Sequence, residues 1–417
     1  MTITGDIIIR FVVDENNGGG FDDDRAIDDV TVDETPTCRA PKDIEHFNPT
    51  ASTADVTWAD PAAASEWQVE FGATGFTLGT GTRNTVTNDT ATLSALTVGT
   101  TYDVYVRAVC AVADSSLWTS YSFTFLGAPL SGAYTINSGA ATGGTNFASF
   151  ADFTAALAGA GVSGAVTADV VAASGPYSEQ VVFTNHTGAS MANMVTVNGN
   201  GETIDFAPTF SDKRIVGFDG ASWITLKNIN IASTSTTYGY GVHMTSGSHH
   251  ITLDSLTIDL STITSTSSTN SGGVVSSGSF TSMTTTGNNA SHITVTNCTI
   301  DGGTSGGMYY GIRFNGLSSS AEDTSITITD NVLSNFYAFG AYLNNIVDGL
   351  VEGNDVHRAN KLTVSTFYGI TTAGGTENSV IRNNTIHNTH GNASFTTGSA
   401  YGLYQTSNDA NSSFPNM

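Results

Sequence analysis

Arg382 and His387 fall inside NSVIRNNTIHNT (residues 378–389), which sets a cation and a titratable ring among amide side chains. Such a set can hold an anion or move a proton, and Asn383-Asn384-Thr385 also fits a glycosylation acceptor. His249, His250, His292, His357 and His390 lie in the same half of the chain, at positions where a surface or hydrogen-bonded ring is commoner than a ligand. Near the start, Asp22, Asp23, Asp24, Asp28 and Asp29 crowd together. Calcium takes roughly six to eight oxygens, so these five carboxylates make it the cofactor candidate; the alternative is a solvated acidic loop, because the spacing is not that of an EF-hand. No other motif requires a cofactor. Cys38, Cys110 and Cys298 form no CxxC pair, which argues against a cysteine-based zinc site. Acid–base cleavage of glycans needs carboxylates converging on one place. Asp254, Asp259, Asp301 and Asp355 stand out of phase with one another.

These residues sit in a chain of unusual make-up. Only 12% of its 417 residues are charged, and the formal net charge is −24. A surface so acidic repels phosphate backbones and anionic lipid, which excludes nucleic acid and direct membrane insertion as partners. Neutral glycans, surface or matrix proteins and cations remain. No apolar run approaches the roughly 20 residues of a membrane helix. Abundant Thr, Val and Ile with Gly and Asn point to short strands joined by many turns.

From residue 160 onward one pattern returns: ITLKNINI (224–231), ITLDSLTI (251–258), ITVTNCTI (293–300), ITITDNVL (326–333), GLVEGNDV (349–356) and SVIRNNTI (379–386). Between the copies lies a second motif, usually an aromatic residue followed by Gly and an apolar residue, as in Tyr240-Gly241-Val242, Tyr310-Gly311-Ile312, Phe339-Gly340-Ala341, Tyr368-Gly369-Ile370 and Tyr401-Gly402-Leu403. Two strand motifs per irregular repeat predict coils that stack and share one core. The Ser/Thr-rich stretch 261–286 reads as an insertion between coils. Stacking assigns a task to each column. Ile231, Ile258, Ile300, Leu333, Val356 and Ile386 form one buried ladder, and Leu226, Leu253, Val295, Ile328, Val351 and Ile381 another. Asn331, Asn354 and Asn384 continue a column begun by Ile229, Leu256 and Cys298, where stacked amides bond to one another and Cys298 is an inert buried thiol. Asn383 takes the turn position of Asn228, Ser255, Asn297, Asp330 and Gly353, so its acceptor motif is a by-product of the repeat. Strand alternation turns His243, Val275, Arg313, Tyr342, Thr371 and Tyr404 to solvent. His243, Arg313, Tyr342 and Tyr404 are therefore the glycan-binding candidates, able to stack on sugar rings and bond hydroxyls.

Three resemblances organise the chain. In residues 1–35, RAIDDVTV resembles the closing strand of a MAM-type jelly roll, which implies that only the tail of such a domain is present and that the chain lacks its natural beginning. Residues 36–126 resemble a fibronectin type III domain, through the strand Val56-Thr57-Trp58, the strand around Trp67, and Leu96 followed by Tyr102, Val104, Val106 and Ala108. That topology implies a Cys38–Cys110 disulfide, worth about 3–4 kcal/mol in the chain-entropy model. Residues 127–146 are a linker with a first strand, 147–160 a capping helix, and 161–417 a right-handed parallel β-helix that ends without a cap. The stretch Gly175 to Gln180 is similar to an early coil of pectin-active, pectate-lyase-like enzymes, although no segment reproduces a pectin-esterase motif. The fold class expected is all-β, a sandwich followed by a solenoid. The arrangement resembles large Bacteroidetes-type cell-surface proteins, which implies an exported, extracellular monomer with an adhesive or glycan-binding role. The alternatives are a polysaccharide lyase or glycoside hydrolase, and a structural spacer. Non-reducing peptide mapping is expected to recover Cys38 joined to Cys110, and recovery of both as free thiols would contradict the pairing.

Overall fold

The computed structural model describes residues 36–50, 52–317, 323–392 and 398–406. The expected jelly-roll tail and the acidic cluster of Asp22, Asp23, Asp24, Asp28 and Asp29 lie outside the described residues. The chain is nearly all β, with 51% of it in strands and 4% in helix.

Residues 42–124 form a sandwich of two antiparallel sheets. Lys42–Phe47, Ala54–Ala59 and Thr90–Leu93 make one; Thr82–Val86, Glu66–Ala73, Thr101–Ala111 and Thr119–Thr124 make the body of the other. Alternate residues point inward, so Val56, Trp58, Val69, Phe71, Val104, Val106 and Ala108 share one core. The Tyr102 hydroxyl accepts the Thr97 N–H at 2.9 Å, which pins the corner before that long strand. Cys38 and Cys110 are disulfide-bonded, with their Cα atoms 5.8 Å apart.

The rest is a β-solenoid of about nine turns. All of its sheets are parallel, and each coil contributes a strand to each of three walls. The first wall begins with Asn146–Phe147 paired on Leu130–Ile136, the latter inside the stretch read as a linker with a first strand. It then runs through Val162–Val170, Val195–Asn198, Ser222–Lys227, Ser248–Asp254, Ala290–Thr296 and Asp323–Thr329 to Val380–Arg382. The second wall runs from Tyr177–Ser178 through Asn230–Ser233, Thr257–Asp259, Thr299–Asp301, Val332–Ser334 and Asp355–His357 to Thr385–His387. The third runs from Val181–Thr184 through Arg214–Asp219, Gly239–Thr245, Ser271–Ser276, Tyr310–Asn315, Phe339–Asn344 and Phe367–Ala373 to Ala400–Thr406. Ser271–Ser276 lies within residues 261–286, so that stretch is a wall strand between two long loops rather than an insertion alone. The helix Phe150–Ala160 closes the amino-terminal end of the core with Phe150, Phe153 and Leu157. Its first turn is held by the Glu179 carboxylate, which accepts the N–H groups of Phe150 and Ala151 at 2.9 Å each.

Both apolar ladders lie in the shared core, with Ile381 and Ile386 half-buried against it. At the corner between first and second walls, Asn228, Ser255, Asn297, Asp330, Gly353 and Asn383 all have φ between 52° and 71°. That left-handed backbone explains why the column is mostly Asn, Asp and Gly. One residue further on, amides replace apolar side chains. Asn331 Oδ1 accepts the Cys298 N–H at 2.9 Å, Asn354 Oδ1 that of Asn331 at 3.0 Å, and Asn384 Oδ1 that of Asn354 at 2.9 Å. Their Nδ2 groups donate in turn to Val295, Ile328 and Val351 carbonyls, each at 2.9 Å. The Gly of the aromatic–Gly motif has a separate cause. A Cβ on Gly311 would lie 2.6 Å from the Gly340 carbonyl oxygen, and one on Gly340 2.5 Å from that of Gly369. Backbone fills the space any side chain would need. Urea unfolding is expected to show Gly340→Ala losing about 3 kcal/mol and Asn354→Ala about 2–3 kcal/mol, the latter by orphaning the Asn331 N–H.

Candidate functional site

The outer face of the third wall carries the side chains the sequence singled out. Val242, Met244, Ile312, Phe314, Ala341 and Leu343 point into the core. The intervening His243, Arg313 and Tyr342 therefore point away from it. Pointing away is not the same as meeting solvent. His243 is fully buried, Arg313 is 6% exposed, and Val275 and Thr371 of the same column are buried too. The expectation that this column faces water fails at His243, Val275 and Arg313 because the loop after Ser276 folds back across the wall; Thr371 sits between its register partners Tyr342 and Tyr404.

That loop is anchored at several points. The Arg214 guanidinium lies 3.7 Å from the Phe280 ring centroid, and Phe280 meets His243 edge-on at 6.0 Å. Arg313 Nε donates to the Met283 carbonyl at 2.8 Å, and Lys213 Nζ donates to that of Thr281 at 2.6 Å. Met283 packs with Tyr240, Val275 and Tyr310 as a second apolar layer outside the main core. Beneath it, His243 Nε2 pairs with Ser277 Oγ at 2.9 Å. Burial pushes the imidazole pKa down to about 3, so the ring is neutral. Arg214 is fixed by Asp212, with Nε–Oδ1 at 2.9 Å and Nη2–Oδ2 at 2.7 Å. Sequence reasoning passed over Asp212 and Arg214, although an acidic residue two positions before the Arg that opens a wall strand was a usable signal.

Beyond the loop the wall becomes aromatic. Tyr310, Phe339, Tyr368 and Tyr401 form one nearly parallel stack, with successive centroids 5.0, 4.5 and 5.3 Å apart. Tyr342 meets Phe339 edge-on at 5.2 Å, and Tyr404 meets Tyr368 at 5.0 Å. The Arg313 guanidinium lies 4.6 Å from the Tyr310 centroid and 4.5 Å from that of Tyr342. Rings inside such a stack have both faces filled by neighbours. Face-on stacking of a sugar is thereby closed to Phe339 and Tyr368, and edges and phenol groups are what they can offer. Tyr342 and Tyr404, half-buried, flank this strip.

Four further histidines fall into two groups. Trp223, His250 and His292 stack outside the first wall at 3.8 and 4.4 Å. His357 and His387 are register partners in the second wall, with ring centroids 4.9 Å apart, beside Asp355. Arg382 is exposed and pairs with Glu352 at 2.9 Å. Cys298 is buried, and burial pushes its thiol pKa up to about 12, out of reach of ordinary thiolate chemistry.

No family model matches this chain, and no curated protein matches it. Solved structures resemble a part of it. The FN1-FN3 domains of chicken CNTN1 are 18% identical over 21% of this chain and 30% of that one, with a TM-score of 0.20. A myokine structure is 17% identical over 22% of this chain and 98% of that one, with a TM-score of 0.18. A computer-based redesign of a β-sandwich protein is 28% identical over 21% of this chain and 88% of that one, with a TM-score of 0.18. Among these neighbours are fibronectin-type β-sandwich domains, and each covers about a fifth of this chain.

The buried His243 makes acid stability testable. Its folded pKa lies below the unfolded value near 6.5, so the unfolded chain binds the extra proton and stability falls as pH drops from about 6.5 toward 3. Between pH 7 and pH 5 this one group removes about 2 kcal/mol. Urea unfolding of His243→Asn is expected to lose that much less stability over the same interval than the parent protein.

Proposed function

We propose that this is an exported, modular cell-surface protein whose fibronectin-type domain presents the solenoid, and whose solenoid wall makes non-catalytic contacts with glycans or surface proteins. The observation that carries this reading is the concentration of tyrosines on one face. Tyr309, Tyr337, Tyr342, Tyr368 and Tyr404 are half-buried and Tyr401 is exposed, all on or beside the third wall of the last four coils. Tyrosine supplies broad, rigid, amphipathic contact area at low entropic cost, which is why binding surfaces built without a deep pocket rely on it. Here the rings hold one another in place before any partner arrives, so little ordering cost remains. The acidic chain favours neutral ligands over polyanions. The jelly-roll tail and the likeness to Bacteroidetes-type surface proteins belong to the same reading and rest on sequence resemblance, and calcium at the aspartate cluster rests on its five carboxylates.

A hydrolytic role for the same wall has weaker support, since Asp212 is spent on Arg214 and His243 lies under the Phe280 loop. Glycan arrays and binding to extracellular matrix proteins test the proposal. Tyr368→Ala and Tyr404→Ala are each expected to weaken the strongest array or matrix interaction at least tenfold. A parent protein that binds nothing above background on either surface would overturn it.

A further inference from the structure

We infer that Asp355, His357 and His387 form a site for a zinc-type divalent transition ion on the outer face of the second wall, clamping two successive coils. Val356 and Ile386 face inward, which turns the residues on either side of them outward. Asp355 and His357 therefore lie on the same face of one strand. His387 stands beside His357 on the next strand, their positions being register partners. One ligand atom from each of the three residues falls within 4.8 Å of the other two, and His387 Nε2 is 2.7 Å from Asp355 Oδ1.

Two imidazoles and one carboxylate are the donor set that zinc and its neighbours prefer over calcium or magnesium, which demand oxygen. With metal–ligand bonds of about 2.0–2.2 Å, ligand atoms on one ion lie about 3–3.5 Å apart, so the set needs only small side-chain adjustments. All three residues are neither deeply buried nor fully exposed, so an ion can enter and water can complete its coordination. The rings are 4.9 Å apart and 30° from parallel, a spacing at which two imidazolium charges repel. An ion bound to neutral rings puts the positive charge between them instead. The backbone N–H of Ala359 lies 3.3 Å from His357 Nδ1, a long contact that metal binding at that nitrogen would replace. Nothing in this site draws on the tyrosine wall, and the proposal stands or falls without it.

Calorimetric titration of the chelator-treated full chain with zinc chloride, and in parallel with calcium chloride, tests the assignment. Zinc is expected to bind with one equivalent abolished in both His357→Ala and His387→Ala, and to raise the melting temperature of the parent but not of either variant. Asp355→Asn is expected to weaken binding at least tenfold. Melting temperatures in chelator show that the variants fold, the side chains being solvent-accessible. Three results would overturn the proposal: no zinc binding by the parent, equal binding by both histidine variants, or loss of the equivalent in His250→Ala/His292→Ala instead. The last would move the ion to the Trp223 stack. Calcium displacing zinc from this site would overturn the ligand class.

Discussion

Every residue of the solenoid has to tolerate its counterpart one strand spacing away, about 4.8 Å above and below. This constraint sorts side chains more severely than hydrophobicity alone does. Apolar side chains pass it by packing. Asn passes it by making the amide of one coil the partner of the backbone in the coil before, as in the chain Cys298–Asn331–Asn354–Asn384. Gly passes it where the neighbouring backbone leaves no room, as at Gly311 and Gly340. Aromatic rings pass it by stacking face to face, and that use of their faces limits what else they can bind.

Cations cannot be stacked this way and are placed individually. Of the seven Lys and Arg residues between 133 and 417, Lys213, Arg214, Arg313, Arg358 and Lys361 are buried. Arg358 donates to the carbonyls of Thr389 at 2.8 Å and Tyr337 at 2.7 Å, and stacks near Phe367. Lys361 Nζ meets the carbonyls of Gly303 and Gly306. Lys213, Arg313, Arg358 and Lys361 tie irregular loops to the coils with the strong donors that a loop's unpaired carbonyls require, whereas Arg214 is held by the Asp212 carboxylate. Removing them from the exterior leaves the solenoid surface more acidic than the net charge of its sequence alone suggests.

Much of the fold could be read from sequence because a repeat exposes its own columns. Ile231 through Ile386, the left-handed corner at Asn383 and the amide run at Asn331, Asn354 and Asn384 all follow from aligning copies. What could not be read was the covering of one coil by another part of the chain. His243 and Arg313 do point outward, but the loop carrying Phe280 and Met283 returns over them, and no local pattern announces where a loop will settle. Asp355 and His387 posed the converse difficulty. They share a site only because two strands thirty residues apart pair in register, and each alone resembles an ordinary surface residue.

The disulfide between Cys38 and Cys110 has a consequence of a mechanical kind. If the protein links a cell to a surface, load enters the sandwich near one cysteine and leaves beyond the other. The bond short-circuits the 72 positions between them, so a tug that unravels the sandwich cannot pay out their length. About 250 Å of slack is thereby withheld. A sandwich pulled from its two ends therefore lengthens far less than its residue count would allow.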